Sequence, residues 1–359
     1  MTSDIENLTE KTVNLSTDPI YKTNWCDMPE ELKRECIGKM GFDERMLLRL
    51  TAKAERSLAN SQSLMFHDGS FYIIGNHHYI DLTVDNGNDQ RERKAKRNYK
   101  NPNDEFELMK YIWGVGVFEN FLFFCDDPFF MEEVNYTGKI KAKNVDLVNC
   151  ENGLLPKILQ KMSNGVEAIK LSPDCNNLSE FPLDEILAIP QVQNSLYLQI
   201  SNYDQADTLQ KVAQVWINNN NSKIGFTFQL STETHKLFNE FSKHFADRIV
   251  SESEKRVRIR TNNPDRHILL ERGLDNVVTV DYHVQFFRLM VISAKMKESE
   301  YDDNCKEWIS KMSSIYSFRE WDNNRVQNVH VNENPENVAN DEHVENREPI
   351  PEGIEDDDW

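Results

Sequence analysis

VDLVNCENGLLPKILQKM, residues 145–162, joins a short β-type run to a helical pattern across a polar turn. The same succession recurs through the middle of the chain. β-type runs sit at FLFF near Leu122, VDLV near Leu147, AIKL near Leu171, LYLQI near Leu198, GFTFQL near Phe228, RVRIR near Ile259 and FRLMVI near Leu289. Helical patterns follow four of them: LLPKILQKM, LDEILAI, TLQKVAQVW and HKLFNEFSKHF. Successive anchors lie 25, 24, 27, 30, 31 and 30 residues apart. A strand, a helix and another strand at such intervals is the pattern of stacked αβ repeats, and parallel strands with crossover helices satisfy it. The expected fold class is therefore α/β.

VDLVNC (145–150) is similar to the strand-and-turn portion of a leucine-rich repeat, although no repeat here carries the full consensus with its buried asparagine. The expectation is an irregular leucine-rich-like αβ repeat domain over 63–318. An ordinary α/β domain whose alternation only looks periodic is the competing reading. SLMFHDGSFYIIGNHHYIDLTV (63–84) reads as antiparallel, with turns at Asp68-Gly69 and Gly75-Asn76, and would cap the first repeat. YDDNCKEWISKM (301–312) reads as a closing helix.

The chain has 359 residues, 39% of them hydrophobic, enough for a sizeable core. Its formal charge is −19, which argues against a general nucleic-acid or anionic-membrane binder, since both need a positive footprint. The charge is uneven. Residues 323–359 hold 11 acidic and 2 basic side chains with almost no large apolar residue, so 319–359 is expected to be a disordered acidic tail and 1–22 a flexible one. RERKAKRNYK (91–100) is the opposite, six basic residues to one acid, and reads as a solvated loop, a nuclear-import signal or a grip on an acidic partner.

Reactive constellations are not apparent. G-x-x-x-x-G-K-[ST] and G-x-S-x-G are missing, and GVGVF (114–118) lacks the third glycine of a dinucleotide fingerprint, so it reads as a helix-to-strand turn. His77-His78 would point to opposite faces of a strand and makes a poor metal pair. No catalytic residue, metal site or cofactor is expected. Six scattered cysteines without C-x-x-C spacing read as reduced thiols, and with no signal-like or membrane-spanning stretch the protein is expected in the cytoplasm, the nucleus or both.

DMPEELKRECIGKMGFDERMLLRL (27–50) is different in kind. Asp27 can cap a helix starting at Met28-Pro29, with Glu30 completing a D-x-x-E arrangement, and Leu32, Cys36 and Met40 recur every four residues beside Ile37. Gly41 would end that helix. Phe42 and Asp43 open a second, with Met46, Leu47 and Leu50, and a third runs through Ala54 and Leu58 towards Ser61. About forty residues are too few to hold themselves together. Either this apolar face packs onto the repeat domain or something else completes it, and periodicity leaves both open.

The stretch WCDMPEELKRECIGKMGFDERMLLRLTAKAERSLANS resembles an F-box. It has the apolar–Pro pair Met28-Pro29, then Leu32, the apolar helix with Ile37 and Met40, the acid-centred turn at Asp43, and the closing basic-apolar helix with Arg56 and Leu58. The family often places a Cys and a Trp in its third helix, where this chain has Ala52 and Glu55. The long irregular αβ region behind it is similar to the expanded nematode F-box proteins. What the resemblance implies is an F-box over 23–62 that docks a Skp-type adaptor, and through it a cullin. Met28, Pro29, Leu32, Cys36, Ile37, Met40, Phe42 and Leu47 would be the adaptor-binding residues. The chain would then be the non-catalytic substrate-recognition subunit of an SCF-type cullin–RING ubiquitin ligase, holding an unknown protein substrate on its repeat domain. The alternative is a repeat scaffold or regulator with no link to ubiquitin.

For the substrate surface, alternation along the strands turns Val257 and Ile259 inward and Arg256, Arg258 and Arg260 outward, with Tyr197 and Gln199 outward on the LYLQI strand. Three arginines and an aromatic would suit an acidic or phosphorylated segment.

Overall fold

Three short helices open the chain in the computed structural model: α1 (Glu30–Lys39), α2 (Phe42–Arg49) and α3 (Lys53–Asn60). The structure describes residues 24–74, 77–85, 91–98, 102–125, 127, 130–173, 181–218, 223–234, 236–273, 278–279, 282–283, 285–301, 305, 307 and 308. The expected tails at 1–22 and 319–359, the Gly75-Asn76 turn and most of the closing helix lie outside these. Residues up to Cys305 form one compact unit, and of the second unit, from Lys306, only 307 and 308 are described.

The first helix starts later than expected. Asp27 lies in a single 3-10 turn, Trp25–Asp27, capped by Asn24, and makes no cap for α1, whose N-cap is Pro29 with no side-chain bond. The reason is local. A residue before proline is pushed out of the helical region, and Met28 is extended at φ −73° and ψ 133°. Gly41 likewise does not end α1, which closes at Met40, but stands as the N-cap of α2.

The strands are β1 (Leu64–Ile74), β2 (His77–Asp85), β3 (Arg91–Asn98), β4 (Gly116–Cys125), β5 (Lys141–Cys150), β6 (Ala168–Pro173), β7 (Tyr197–Ile200) and β8 (Thr227–Thr232). After them come β9 (Ile249–Glu252), β10 (Arg256–Arg260), β11 (Arg266–Arg272), the short pair β12 (Val278–Thr279) and β13 (Tyr282–His283), and β14 (Gln285–Ser293). Twelve of them make one sheet in the order β3-β2-β1-β4-β5-β6-β7-β8-β14-β11-β10-β9. From β1 through β8 every neighbouring pair is parallel. Helices carry the crossovers: α4 (Pro102–Val115) leads into β4, and α5 (Phe130–Val134), α6 (Leu154–Lys161), α7 (Leu183–Ala188) with α8 (Pro190–Asn194), and α9 (Thr208–Asn218) follow in turn. One more, α10 (Leu237–His244), comes after β8.

The parallel part keeps a frame. Phe118 and Phe121, Ala142 and Val145, Val166 and Ile169 are buried pairs, each enclosing two less buried residues, at intervals of 24 residues. Two side chains in succession leave the core at each step. The strands then resume alternation in register, Phe121 beside Val145 beside Ile169.

Three expectations are corrected. Asp68-Gly69 is no turn but the middle of β1, which joins the parallel array beside β4. A Cβ at Gly69 would stand 2.4 Å from the Phe118 ring, so the glycine makes room for an aromatic. RERKAKRNYK is not a loop, since β3 takes residues 91–98. The repeat also stops at β8. β14, β11, β10 and β9 run antiparallel; for β9, β10 and β11 the links are far shorter than the dozen residues a parallel crossover needs. The spacing of about 30 residues at Ile259 and Leu289 was a coincidence of length.

One sheet face meets the helices through Phe121, Phe123, Leu147, Leu171, Ile200, Phe228 and Leu230, all nearly free of solvent contact. Trp113 of α4 packs edge-on to Phe71, Phe130 and Tyr136 over this face.

Candidate functional site

On α1, Leu32 and Cys36 stand one turn apart on one face, while Ile37, five residues after Leu32, is turned about 140° away. The structure uses that angle. Ile37 is fully buried against Leu58 and Ala59 of α3, with Trp25, Met40 and Leu48 around them. Leu32 is 50% exposed and Cys36 is exposed too. On α2 the division repeats: Phe42 and Arg45 are buried, whereas Leu47 is 67% exposed and Leu50, just past the helix, 75%. A small helical cluster with a closed core thus leaves three leucines in water.

The eight residues expected to bind an adaptor therefore separate. Leu32, Leu47, Cys36 and Pro29 are exposed and Met28 is half-buried. Ile37 and Phe42 are buried in the core, because their helix faces point at α3 and at the sheet; Met40 is half-buried against Ile37. Phe42 meets the ring of Phe66 on β1 edge-on at 5.9 Å, so this residue of α2 belongs to the core of the sheet, while Ile37, Leu58 and Ala59 form a separate small cluster.

Arg45 holds the cluster in shape. Its guanidinium is buried and donates to the carbonyls of Gly38, Met40, Gln62 and Ser63, at 3.2, 3.1, 3.2 and 3.1 Å. It thereby serves the orphan carbonyls ending α1 and fixes the junction between α3 and β1. Arg49 lies over the Tyr111 ring of α4, donates to Asn60 Oδ1 at 2.9 Å, and receives Arg56 at its own carbonyl. Burial lowers the pKa of both arginines and raises that of Tyr111, the direction expected when charge is taken out of water. At the near end Trp25 Nε1 donates to Glu55 Oε1 at 3.2 Å, beneath Lys33.

Residues 25–67 match the family model of the F-box domain. The chain carries an F-box. The matched range reaches into β1, the stretch that Arg45 ties to α1 and α2 of the F-box through Gln62 and Ser63. No curated protein and no solved structure matches the chain.

The other face of the sheet holds the residues expected to meet a substrate, and it does not hold them as expected. Arg256 and Arg258 share a face, but neither is free. The Arg258 guanidinium is buried, donating to the carbonyls of Met296, Ala294 and Ser293 at 2.7, 2.7 and 3.2 Å, with Nε on His267 Nδ1 at 2.8 Å. Arg256 donates to Glu271 at 3.1 Å and lies over the Tyr301 ring, leaving Arg260 alone exposed. The cause is the segment after β14, which returns over this end of the sheet, so that β10 is covered on both faces. Alternation predicts one free face only where one face is covered.

Gln199 is buried as well. It lies in a polar row at one register: Asp146, Lys170, Gln199, Gln229, Arg288, Glu271 and Arg256. Half-buried Tyr197 donates from its hydroxyl to Gln199 Oε1 at 2.8 Å and also bonds Gln229. Glu271 has no solvent exposure and is held between Arg256 and a two-pronged Arg288. Further along the same sheet face, Asn144 donates to Asn120 and Asn120 to Asp68, each at 2.9 Å, a side-chain ladder across β5, β4 and β1. Sequence reading missed that ladder, although Asn120 and Asn144 stand 24 residues apart in equivalent repeat positions. Among the described residues no three His, Cys, Asp or Glu converge on a metal position, and no helix is long and apolar enough to cross a membrane.

Proposed function

We propose that this chain is the non-catalytic substrate-recognition subunit of an SCF-type cullin–RING ubiquitin ligase, acting in the cytoplasm or nucleus. F-box domains in general bind Skp-type adaptors and through them cullins. The observation that carries the reading to this chain is the exposure of Leu32 and Leu47 on an F-box whose own core is already closed by Ile37. Leucines kept for the repeat domain would be buried against it. These are partly in water, where covering the exposed half to two thirds of each would contribute about 1–2 kcal/mol, and a few such anchors can dominate an interface. Pro29 and Cys36, near Leu32 in the chain, are exposed as well, and Met28 is half-buried. This favours a docking face over a simple cap on the sheet.

The sheet domain then presents a protein substrate. Because Phe42 and Arg49 lock the F-box onto it, a bound substrate keeps a set position relative to the adaptor, and ubiquitin transfer by the complex gains from proximity without a reactive side chain here. The test is affinity purification of the full chain and of its Leu32→Asp/Leu47→Asp variant, with and without proteasome inhibition. Adaptor and cullin should accompany the wild type only, with a further set of proteins enriched under inhibition. Proteins retained equally by both forms, with no adaptor in either, would point to a scaffold outside ubiquitination.

A further inference from the structure

The proposal above makes no use of RERKAKRN, residues 91–98. The topology places it at the end of the twelve-stranded sheet as β3, with β2 on one side and no strand on the other among the described residues. The two ends of the sheet differ. β9, at the far end, has four residues and carries one acid, Glu252. β3 has eight, and Arg91, Arg93, Lys94, Lys96 and Arg97 outnumber the single Glu92, in a chain whose formal charge is −19. From Arg91 to Lys94 it follows β2 from Asp85 to Leu82 without a break, and a register shift comes only beyond, between Leu82 and Ile80.

An open sheet edge offers a row of backbone donors and acceptors to any extended chain. Charged side chains guard such an edge; five cations on eight residues would also select what can pair there. We propose that β3 is a docking edge for an acidic extended segment of another protein, which adds a strand to the sheet beside Arg91–Lys94. Main-chain pairing supplies the register, and the cations supply the preference for acidic over neutral or basic chains and speed the encounter. The edge is on the sheet and not on the F-box helices, so the inference stands whether or not the adaptor reading does.

The experiment uses the full-length chain and fluorescent ten-residue peptides in which Val alternates with Glu, Ser or Lys, followed by anisotropy. The Glu peptide should bind at least about tenfold more tightly than the Ser peptide and lose that margin as salt rises. Arg93→Glu/Lys94→Glu should remove it, with Arg93→Gln/Lys94→Gln as the milder pair if the first does not fold. N-methylation of alternate residues of the Glu peptide should also abolish binding, and amides of β3 should gain protection from hydrogen exchange. Equal affinity for the three peptides would overturn the proposal, leaving the cations as a guard against edge-to-edge pairing. So would binding indifferent to N-methylation, which needs charge alone. Tighter binding after removal of residues 323–359 would show that the chain's own acidic end already takes the edge, and would overturn the choice of partner.

Discussion

The guanidinium carbon of Arg49 sits 3.6 Å from the centroid of the Tyr111 ring. One residue belongs to α2 of the F-box and the other to α4 of the sheet domain, so this contact, with Phe42 on Phe66, ties the two together. Under the proposed function, such a joint would hold a substrate at a set place relative to the adaptor.

That joint is measurable. A double-mutant cycle of Arg49→Ala and Tyr111→Ala should give a coupling of about 1–2 kcal/mol in chemical denaturation, as for a cation–π pair partly removed from water. Additive single losses would mean that the stacking contributes nothing.

Arg45→Ala should cost about 3 kcal/mol, since four carbonyls lose a charged donor and two of them end α1. Arg45→Lys should recover only part of it, because an ammonium cannot serve four acceptors from a planar fork. Thermal midpoints ranked wild type, Lys, Ala test this. Equal values for Lys and arginine would contradict the fork.

His267 predicts a pH dependence. Burial first, then the charges of Arg258 and Arg260, lower its pKa, and its Nδ1 must be unprotonated to accept from Arg258. The folded value lies below the ordinary value of 6.5, so under acid the unfolded chain binds the proton first and stability falls as pH drops below about 6.5. The thermal midpoint of the wild type should decline more between pH 7.5 and 5 than that of His267→Asn. Parallel curves would contradict this.

The same corner separates two arginines that alternation treats alike. Arg258→Ala should destabilise by several kcal/mol, because it strips the carbonyls of Ser293, Ala294 and Met296 of their donor. Exposed Arg260→Ala should stay within about 0.5 kcal/mol of wild type. Denaturant midpoints decide it, and a large loss at Arg260 would be the contrary result.

How much of this was legible depended on covering. The F-box helices, most strands of the parallel array and their crossover helices follow from spacing, because each buries one stripe or one face. β10 misled for a physical reason: the returning segment after β14 covers the face alternation had left open, and nothing in RVRIR announces a segment some 35 residues later. Ile37 and Phe42 were grouped with Leu32 and Leu47 because a four-residue apolar spacing shows a stripe but not which part of it faces inward. Arg45 was missed since an arginine in a polar helix normally means solvent; only the geometry of four converging carbonyls gives it a role. Asn120 and Asn144 carried a signal in their spacing, but asparagines at strand positions are easily taken for loop residues.

The most direct measurement is calorimetric titration of a purified Skp-type adaptor into the full-length chain and into its Leu32→Asp/Leu47→Asp variant. Both leucines are already exposed, so the variant should keep its circular dichroism and its thermal midpoint within a few degrees, while adaptor binding weakens at least a hundredfold from charges buried without partners. Undiminished adaptor binding by a folded variant, or a variant that loses the fold of the whole chain, would contradict the account.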